Sequence, residues 1–322
     1  MTLVFQSFFI TVAFLFSLTS VFAKTLPTCV YISSYHQGYE WSDGIELSLR
    51  EVLDGHCSFI QFDMDTKRHG GQSFILQKAK EAKELILKSR ADVVITSDDN
   101  AAKFVIKEYF KDSSISFVFC GVNWTAKEYG FPYENVTGMI EVTPVGEIFE
   151  LAVSISKGKR GVFIGDDAIT DRKDFAHFVK YAEKNNIELE RALVQTVDEW
   201  KEQYLKAQGT KDFIILGHNS AIKGWEDGEV KTFQAKKSTT LVLTTYRWMV
   251  PFAMIGLVIK PEEQGEWAGE AALGILQGFP IKNISIIANR SWSSWMNLTL
   301  LGFAGIVLPE NFIEKSQQLV ED

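Results

Sequence analysis

From Lys24 onward the chain alternates short continuous apolar runs with longer stretches in which Leu, Ile, Ala or Val recur every three or four residues. A short unbroken apolar run reads as a strand buried on both faces, and the three-to-four spacing reads as a helix with one face on a core. The pattern predicts strands at Cys29–Ser33, Phe59–Asp63, Asp92–Thr96, Phe117–Gly121 and Val136–Val142, with helices near Ser42–Leu53, Gln72–Ser89 and Asn100–Phe110 between them. At Lys159 the alternation restarts, with strands at Gly161–Ile164, Glu190–Val194, Phe213–Leu216 and Thr240–Thr244 and helices near Asp171–Asn185, Asp198–Gln208 and Gly228–Ala235. The remainder holds a helix near Glu262–Leu276, a strand at Ile284–Ala288 and a terminal helix from Pro309. Two such series predict an α/β protein made of two doubly wound, Rossmann-like lobes. Crossings between lobes are expected at Thr143–Gly146 and around Met249–Gly256, where Pro251 and Gly256 punctuate the run. The lobes then comprise residues 24–142 with about 252–283, and residues 143–251 with about 284–322.

A chain of 322 residues has room for two domains of about 150 residues each, and 46% hydrophobic with 23% charged residues is a globular composition. The net charge of −8, with no cluster of Lys and Arg, excludes a nucleic-acid footprint. Thr2–Ala23 carries no charge and ends Val21-Phe22-Ala23, which predicts a secretory signal peptide over residues 1–23 and a periplasmic mature chain. The run lacks an early Lys or Arg, and left uncleaved it is long enough to anchor the chain in a bilayer. Of the three cysteines, Cys29 and Cys57 are the one pair placed to bridge, on the first two strands; buried unpaired cysteine is the favoured expectation.

Open parallel sheets bind ligands outside the carboxyl ends of their strands, so the residues just after each strand are the candidate site. In the first half these are Tyr35, His36 and Trp41 after the first strand, Ser97 and Asp98 after the third, and Asn123 and Trp124 after the fourth. In the second half they are Asp167 and Thr170, then His218 and Asn219, then Tyr246 and Arg247. Helix capping alone accounts equally well for Ser97, Asp98 and Asn100, and for Asp171 and Asp198. Carboxylates at Asp98, Asp99, Asp166 and Asp167 favour a solute with a cationic group, the aromatics favour a flat or apolar part, and Arg247 suits a carboxylate. No Gly-x-Ser-x-Gly elbow, phosphate loop or His-Glu-x-x-His helix is present, so the reading is binding without catalysis, with no metal or cofactor. Nothing in the pattern suggests heptads or an exposed apolar stripe, and a monomer is expected.

Several strings, in order along the chain, are similar to the ABC transporter substrate-binding family. They are Val93-Val94-Ile95-Thr96-Ser97, Asn135-Val136-Thr137-Gly138, Glu262…Gly265-Glu266…Ala271-Ala272…Ile275-Leu276-Gln277-Gly278, and Asn297…Leu301-Gly302…Leu308-Pro309-Glu310…Ile313. The resemblance implies a type I periplasmic binding protein: two α/β lobes, a three-crossing hinge, and one small organic solute, amino acid or amine-like, held between them for an ABC permease. It implies Tyr35, Ser97 and Asn123 on one wall and Asp167, Asn219 and Tyr246 on the other. Many relatives carry Asp-Pro where this chain carries Asn123-Trp124, so ligand identity does not carry over. The string Ser34-Tyr35-His36-Gln37-Gly38-Tyr39-Glu40-Trp41 also resembles solute-sensing regions of signalling receptors, which leaves a membrane receptor, kinase or cyclase, as the alternative partner.

Overall fold

The structure, a computed structural model, describes residues 26–319; the expected signal peptide over residues 1–23 lies outside the described residues. The first lobe runs β1 (Thr28–Ser33), α1 (Glu40–Leu53), β2 (Ser58–Asp63), α2 (Gln72–Ser89), β3 (Val93–Ser97), α3 (Asp98–Ala101, continued by a wider turn over Ala102–Lys107), β4 (Ser116–Asn123) and β5 (Val136–Glu141). The second runs α4 (Val145–Ser156), β6 (Arg160–Asp166), α5 (Ile169–Lys184), β7 (Glu188–Val194), α6 (Val197–Ala207), β8 (Phe213–Leu216), α7 (Asp227–Lys237), β9 (Leu241–Thr244) and β10 (Ile255–Ile259). The chain then returns through α8 (Pro261–Leu276) and β11 (Ile287–Ala288), and ends in β12 (Trp292–Met296), α9 (Leu298–Ala304), α10 (Glu310–Ile313) and β13 (Gln317–Gln318).

Two sheets result, ordered β11-β5-β4-β3-β1-β2 and β13-β12-β10-β9-β8-β6-β7. All pairings are parallel except β10 with β12. The apolar runs are fully covered: Cys29, Val30, Tyr31 and Ile32 in β1 and Phe213, Ile214, Ile215 and Leu216 in β8 are all shut off from solvent. In the first lobe Ile45 and Leu49 of α1 and Ala268 of α8 cover one face of the sheet, over Tyr31, Ile95 and Val118. Its other face packs Val30, Ile32, Val94 and Phe117 against Ile75, Ala79 and Ala82 of α2. The two helices α1 and α8 approach closely because α8 presents Gly265 and Gly269. A Cβ at Gly265 would lie 2.3 Å from the Ile45 carbonyl oxygen, and one at Gly269 would lie 2.9 Å from Val52.

Strand pairing moves the expected crossings. Met249–Gly256 is not a link between lobes: Arg247–Phe252 forms a 3-10 turn and Ile255–Ile259 pairs with β9 inside the second sheet. Gly256 sits mid-strand because a Cβ there would meet Val250 at 2.8 Å, so its small size serves packing rather than a break. Residues 252–259 therefore belong with the second sheet rather than the first, and Ile287–Ala288 pairs with β5 in the first rather than joining the second. The chain crosses at residues 142–144, at Lys260 and at residues 289–291. These links are stitched together: the Asn289 amide accepts from Val142 N (2.7 Å) and donates to Val142 O (3.2 Å). Glu263 accepts from Arg290 N and Ser291 N, each at 2.9 Å.

Cys29 and Cys57 are bonded, with Cα atoms 5.9 Å apart, in place of the favoured unpaired state. The physical reason is register, since β1 and β2 are adjacent parallel strands and Cys57 immediately precedes the residue paired with Thr28. Cys120 is buried and free. No helix among the described residues is long and apolar enough to cross a membrane.

Candidate functional site

The carboxyl ends of the two sheets face a cleft of about 970 Å³ lined from both lobes. Tyr35, Trp41, Asp98, Asn123 and Trp124 line it from the first lobe, and His218, Tyr246 and Arg247 from the second. Each sits where a strand ends and a loop or helix start aims its side chain into the gap.

Backbone conformation does part of this aiming. The register between β4 and β5 shifts between Phe119 and Val122. Gly121, inside that irregularity, takes φ +65°, which a side chain would strain, and lies against Asp98, where a Cβ would stand 3.0 Å from Oδ1. The Gln264 side chain of α8 accepts from Gly121 N at 2.9 Å and holds the irregularity in place. Asp98 and Trp124 both take left-handed φ, +69° and +59°, conformations a non-glycine residue keeps only when its surroundings fix it.

Trp124 leaves the first lobe, donates from Nε1 to Asp174 Oδ1 at 3.0 Å and stacks on His177 at 3.6 Å with ring planes 2° apart. Asp174 and His177 belong to α5 of the second lobe. The Tyr246 hydroxyl donates to the other oxygen of Asp174 at 2.5 Å, and burial together with Asp174 holds the phenol protonated by pushing its pKa well up. Removing that hydroxyl in Tyr246→Phe leaves Asp174 with one donor; the second lobe is expected to lose about 2 kcal/mol, read by thermal unfolding, while its fold is unchanged. A second contact between lobes lies at the rim, where Arg247 Nε is 3.5 Å from Glu40 Oε1 and its guanidinium covers Trp295 at 4.0 Å.

Two carboxyls differ from their neighbours. Asp99 accepts from the Tyr129 hydroxyl (2.6 Å) and Asn123 Nδ2 (2.7 Å), and Asp174 is likewise doubly bonded. Asp98 accepts from Trp41 Nε1 at 2.9 Å through Oδ1, but its Oδ2 is buried without a partner. Its pKa is pushed up to about 7, chiefly by burial and secondarily by Asp99, against the pull of the Trp41 bond. Glu141, the last residue of β5, faces the same cleft, and burial followed by Asp98, Asp99 and Asp174 raises its pKa well above the carboxylate range. The nearby cation, Lys67, lies 5.0 Å from the ring centres of both Tyr35 and Tyr39.

Four expected site residues are elsewhere. Ser97 is buried, its hydroxyl 3.0 Å from that of Tyr31, because it is still part of β3 and faces the side of the sheet covered by α1 and α8. His36 turns to Asp65, with Nδ1 3.5 Å from Oδ1. Asp167 pairs with Arg172 and accepts from Gln195 at the outer surface. Asn219 closes a turn with its carbonyl, accepting from Ile222 N at 3.0 Å, so its neighbour His218 points inward instead. The side chain of Thr170 lies outside the described residues. Capping does not explain the third loop either: α3 takes its cap from Ser34, whose hydroxyl accepts from Ala101 N at 2.8 Å. Asp166, expected near the cleft mouth, is buried and accepts from Ala221 N at 2.9 Å.

Sequence reasoning missed Lys67, Glu141, Asp174 and Trp295, all cleft-lining. Asp171, Asp174 and His218 bring possible metal-ligating atoms within 4.8 Å of one another. Their oxygens are engaged otherwise: Asp171 accepts from Asp166 N, His218 N and His218 Nδ1 and so ties the loops after β6 and β8 together.

A family model described as ABC transporter substrate binding protein matches residues 39–320. The chain belongs to this family. Among curated proteins none is significantly similar to it. A ligand-free, open substrate-binding protein with adhesive properties from Clostridium difficile, CD0873, is similar in structure, with TM-score 0.73 and 15% identity over 91% of this chain and 99% of that one. An ABC domain from Streptococcus pneumonia solved with L-Trp gives TM-score 0.65 and 16% identity over 92% and 100%. A substrate-binding protein from Desulfitobacterium hafniense solved with Leu gives 0.56 and 12% over 78% and 84%. The fold is that of type I periplasmic binding proteins, as the resemblance implied.

Proposed function

We propose that this substrate-binding protein works outside the cytoplasm as a monomer, captures an amino acid or related amine between its lobes, and hands it unchanged to an ABC importer. The observation that carries this is the cleft itself, where aromatic faces from both lobes (Tyr35, Trp41, Trp124, Tyr246) surround carboxyls at Asp98 and Glu141. A solute touching both walls favours the closed arrangement by its difference in affinity for closed and open forms, and a membrane partner can read that arrangement. The Cys29–Cys57 bond supports an oxidising compartment. Solved relatives holding L-Trp and Leu support the amino-acid class.

A thermal-shift screen of the secreted form against amino acids, amines, sugars and nucleosides tests the reading. A member of the first two classes is expected to raise the melting temperature, by about 2.7 kcal/mol of added stability at a hundredfold excess over its Kd. A response confined to sugars or nucleosides, or none at all, refutes it.

A further inference from the structure

We propose that the cleft takes its solute as a cation, whose ammonium group seats against Asp98 and Glu141 and displaces to the solvent a proton otherwise carried by one of these carboxyls. The proposal rests on the reading of the cleft as a solute site. Its first support is an imbalance of partners. Of the carboxyls that converge on the cleft from the deep ends of β3, β5 and α5, Asp99 and Asp174 have donors on both oxygens. Asp98 has one donor, and no side-chain hydrogen bond reaches Glu141 among the described residues. Asp98 is 2% exposed with the lobes together, so bulk water supplies little of what the protein leaves out, and a solute's donor meets it as the lobes close over the ligand.

The second support is that Asp98 is held rather than free to adapt. Trp41 fixes one oxygen, Gly121 packs against the carboxyl, and the backbone sits at φ +69°. A buried acceptor kept in a strained, over-determined position is a feature of binding sites rather than of cores. The third is the surroundings. The charged and titratable groups facing Asp98 are Asp99 of α3, Lys67 of the loop before α2, Tyr31 of β1, Tyr35 of the loop after β1, Cys120 of β4 and Glu141 of β5; Glu141 additionally faces Tyr35 and Asp174 of α5. Only Lys67 among these is cationic, and it is engaged with the faces of Tyr35 and Tyr39. Lys173, Arg247 and Lys260 also line the cleft, Arg247 engaged with Glu40 and Trp295 at the rim, but against the four carboxyls clustered at the seat Lys67 is, among the described residues, the one ammonium acting on Asp98 and Glu141. The seat therefore carries either protons or a further cation, and an ammonium ion supplies the missing donors that an anion or a sugar hydroxyl supplies less well. Aromatic faces beside the seat add attraction for the same charge.

Isothermal titration of the folded wild-type chain with tryptamine, L-tryptophan, putrescine, indole-3-propionate and ribose, in buffers of different ionisation enthalpy, is the test. A cationic member is expected to bind with release of about one proton below neutral pH, and its affinity should rise by up to about tenfold per pH unit until the carboxyl is ionised. Asp98→Asn and Glu141→Gln, each checked for an intact cooperative melt, are each expected to weaken the cationic probe by about ten- to hundredfold, and at least one of them to abolish the proton release. Binding of a cationic probe without proton release and with unchanged affinity in both variants overturns the proposal. Binding of only indole-3-propionate or ribose overturns it too, yet leaves solute capture standing; silence from every probe counts against both readings.

Discussion

The ligand-free Asp98→Asn protein is expected to unfold at a higher temperature than the wild type at pH 8, and the gap should close as the pH falls toward 4. Asp98 titrates at about 7 in the folded chain against a model-peptide value of 3.8, so the folded state holds a proton that the unfolded state has released across that interval. A raised carboxyl pKa means that stability falls as pH rises from the unfolded to the folded value, the opposite of an ordinary paired aspartate. The interval corresponds to roughly 4 kcal/mol, or a change in melting temperature on the order of 10 °C, present above neutrality and absent near pH 4. Asparagine keeps the shape, can still accept from Trp41, and has no charge to bury. Melting curves of the two proteins at half-unit pH steps check it. Parallel curves at every pH would show that Asp98 is ionised in the folded chain and already compensated.

That a binding protein keeps so costly a group follows from what the group is for. In the proposed role an enclosed carboxylate destabilises the empty closed form and a cationic solute removes that penalty on arrival, so the ligand adds to the free energy of closure that contacts such as Trp124–Asp174 supply. The doubly bonded Asp174 on the opposite wall does a different job: its partners are this chain's own Trp124 and Tyr246, and through Trp124 it joins the two lobes directly.

The sequence made the lobes legible because strands buried on both faces leave unbroken apolar runs, as in Phe213–Leu216, where expectation and structure coincide. It also made half the cleft legible, since Tyr35, Asp98, Trp124, His218 and Tyr246 all follow strands. What it hid has local causes. Asp174 lies within the second turn of α5 and reads as helix surface, and Glu141 ends β5 just before a crossing. Trp295 stands on β12, whose Trp-Ser-Ser-Trp pattern gives no apolar run, and pairs antiparallel with a strand disguised by Gly256. Within loops, adjacent side chains diverge, so choosing the loop after β8 correctly still left Asn219 and His218 to be told apart by geometry alone.

Trp124→Ala is expected to lower solute affinity by about a hundredfold and to enlarge the ligand-free molecule. The substitution removes a hydrogen bond to the Asp174 carboxyl, worth about 1.5 to 3 kcal/mol, and a parallel ring contact, worth about 0.5 to 1.5 kcal/mol. Both span the lobes, so their loss acts on the equilibrium between closed and open forms rather than on either core. A solute that binds the closed form then finds it less populated, and its apparent Kd rises by the same factor. Small-angle scattering should report a larger radius of gyration for the empty variant and recovery of the wild-type value at saturating solute. Trp124→Phe, which keeps the stacking and drops the donor, should fall between the two, and His177→Ala should cost only the stacking. His177 is disposed to stack because burial lowers its pKa and keeps the ring neutral. Wild-type affinity and radius in Trp124→Ala would mean that the contact across the gap contributes nothing to closure, and that the hinge crossings at residues 142–144, 260 and 289–291 set the lobe angle unaided.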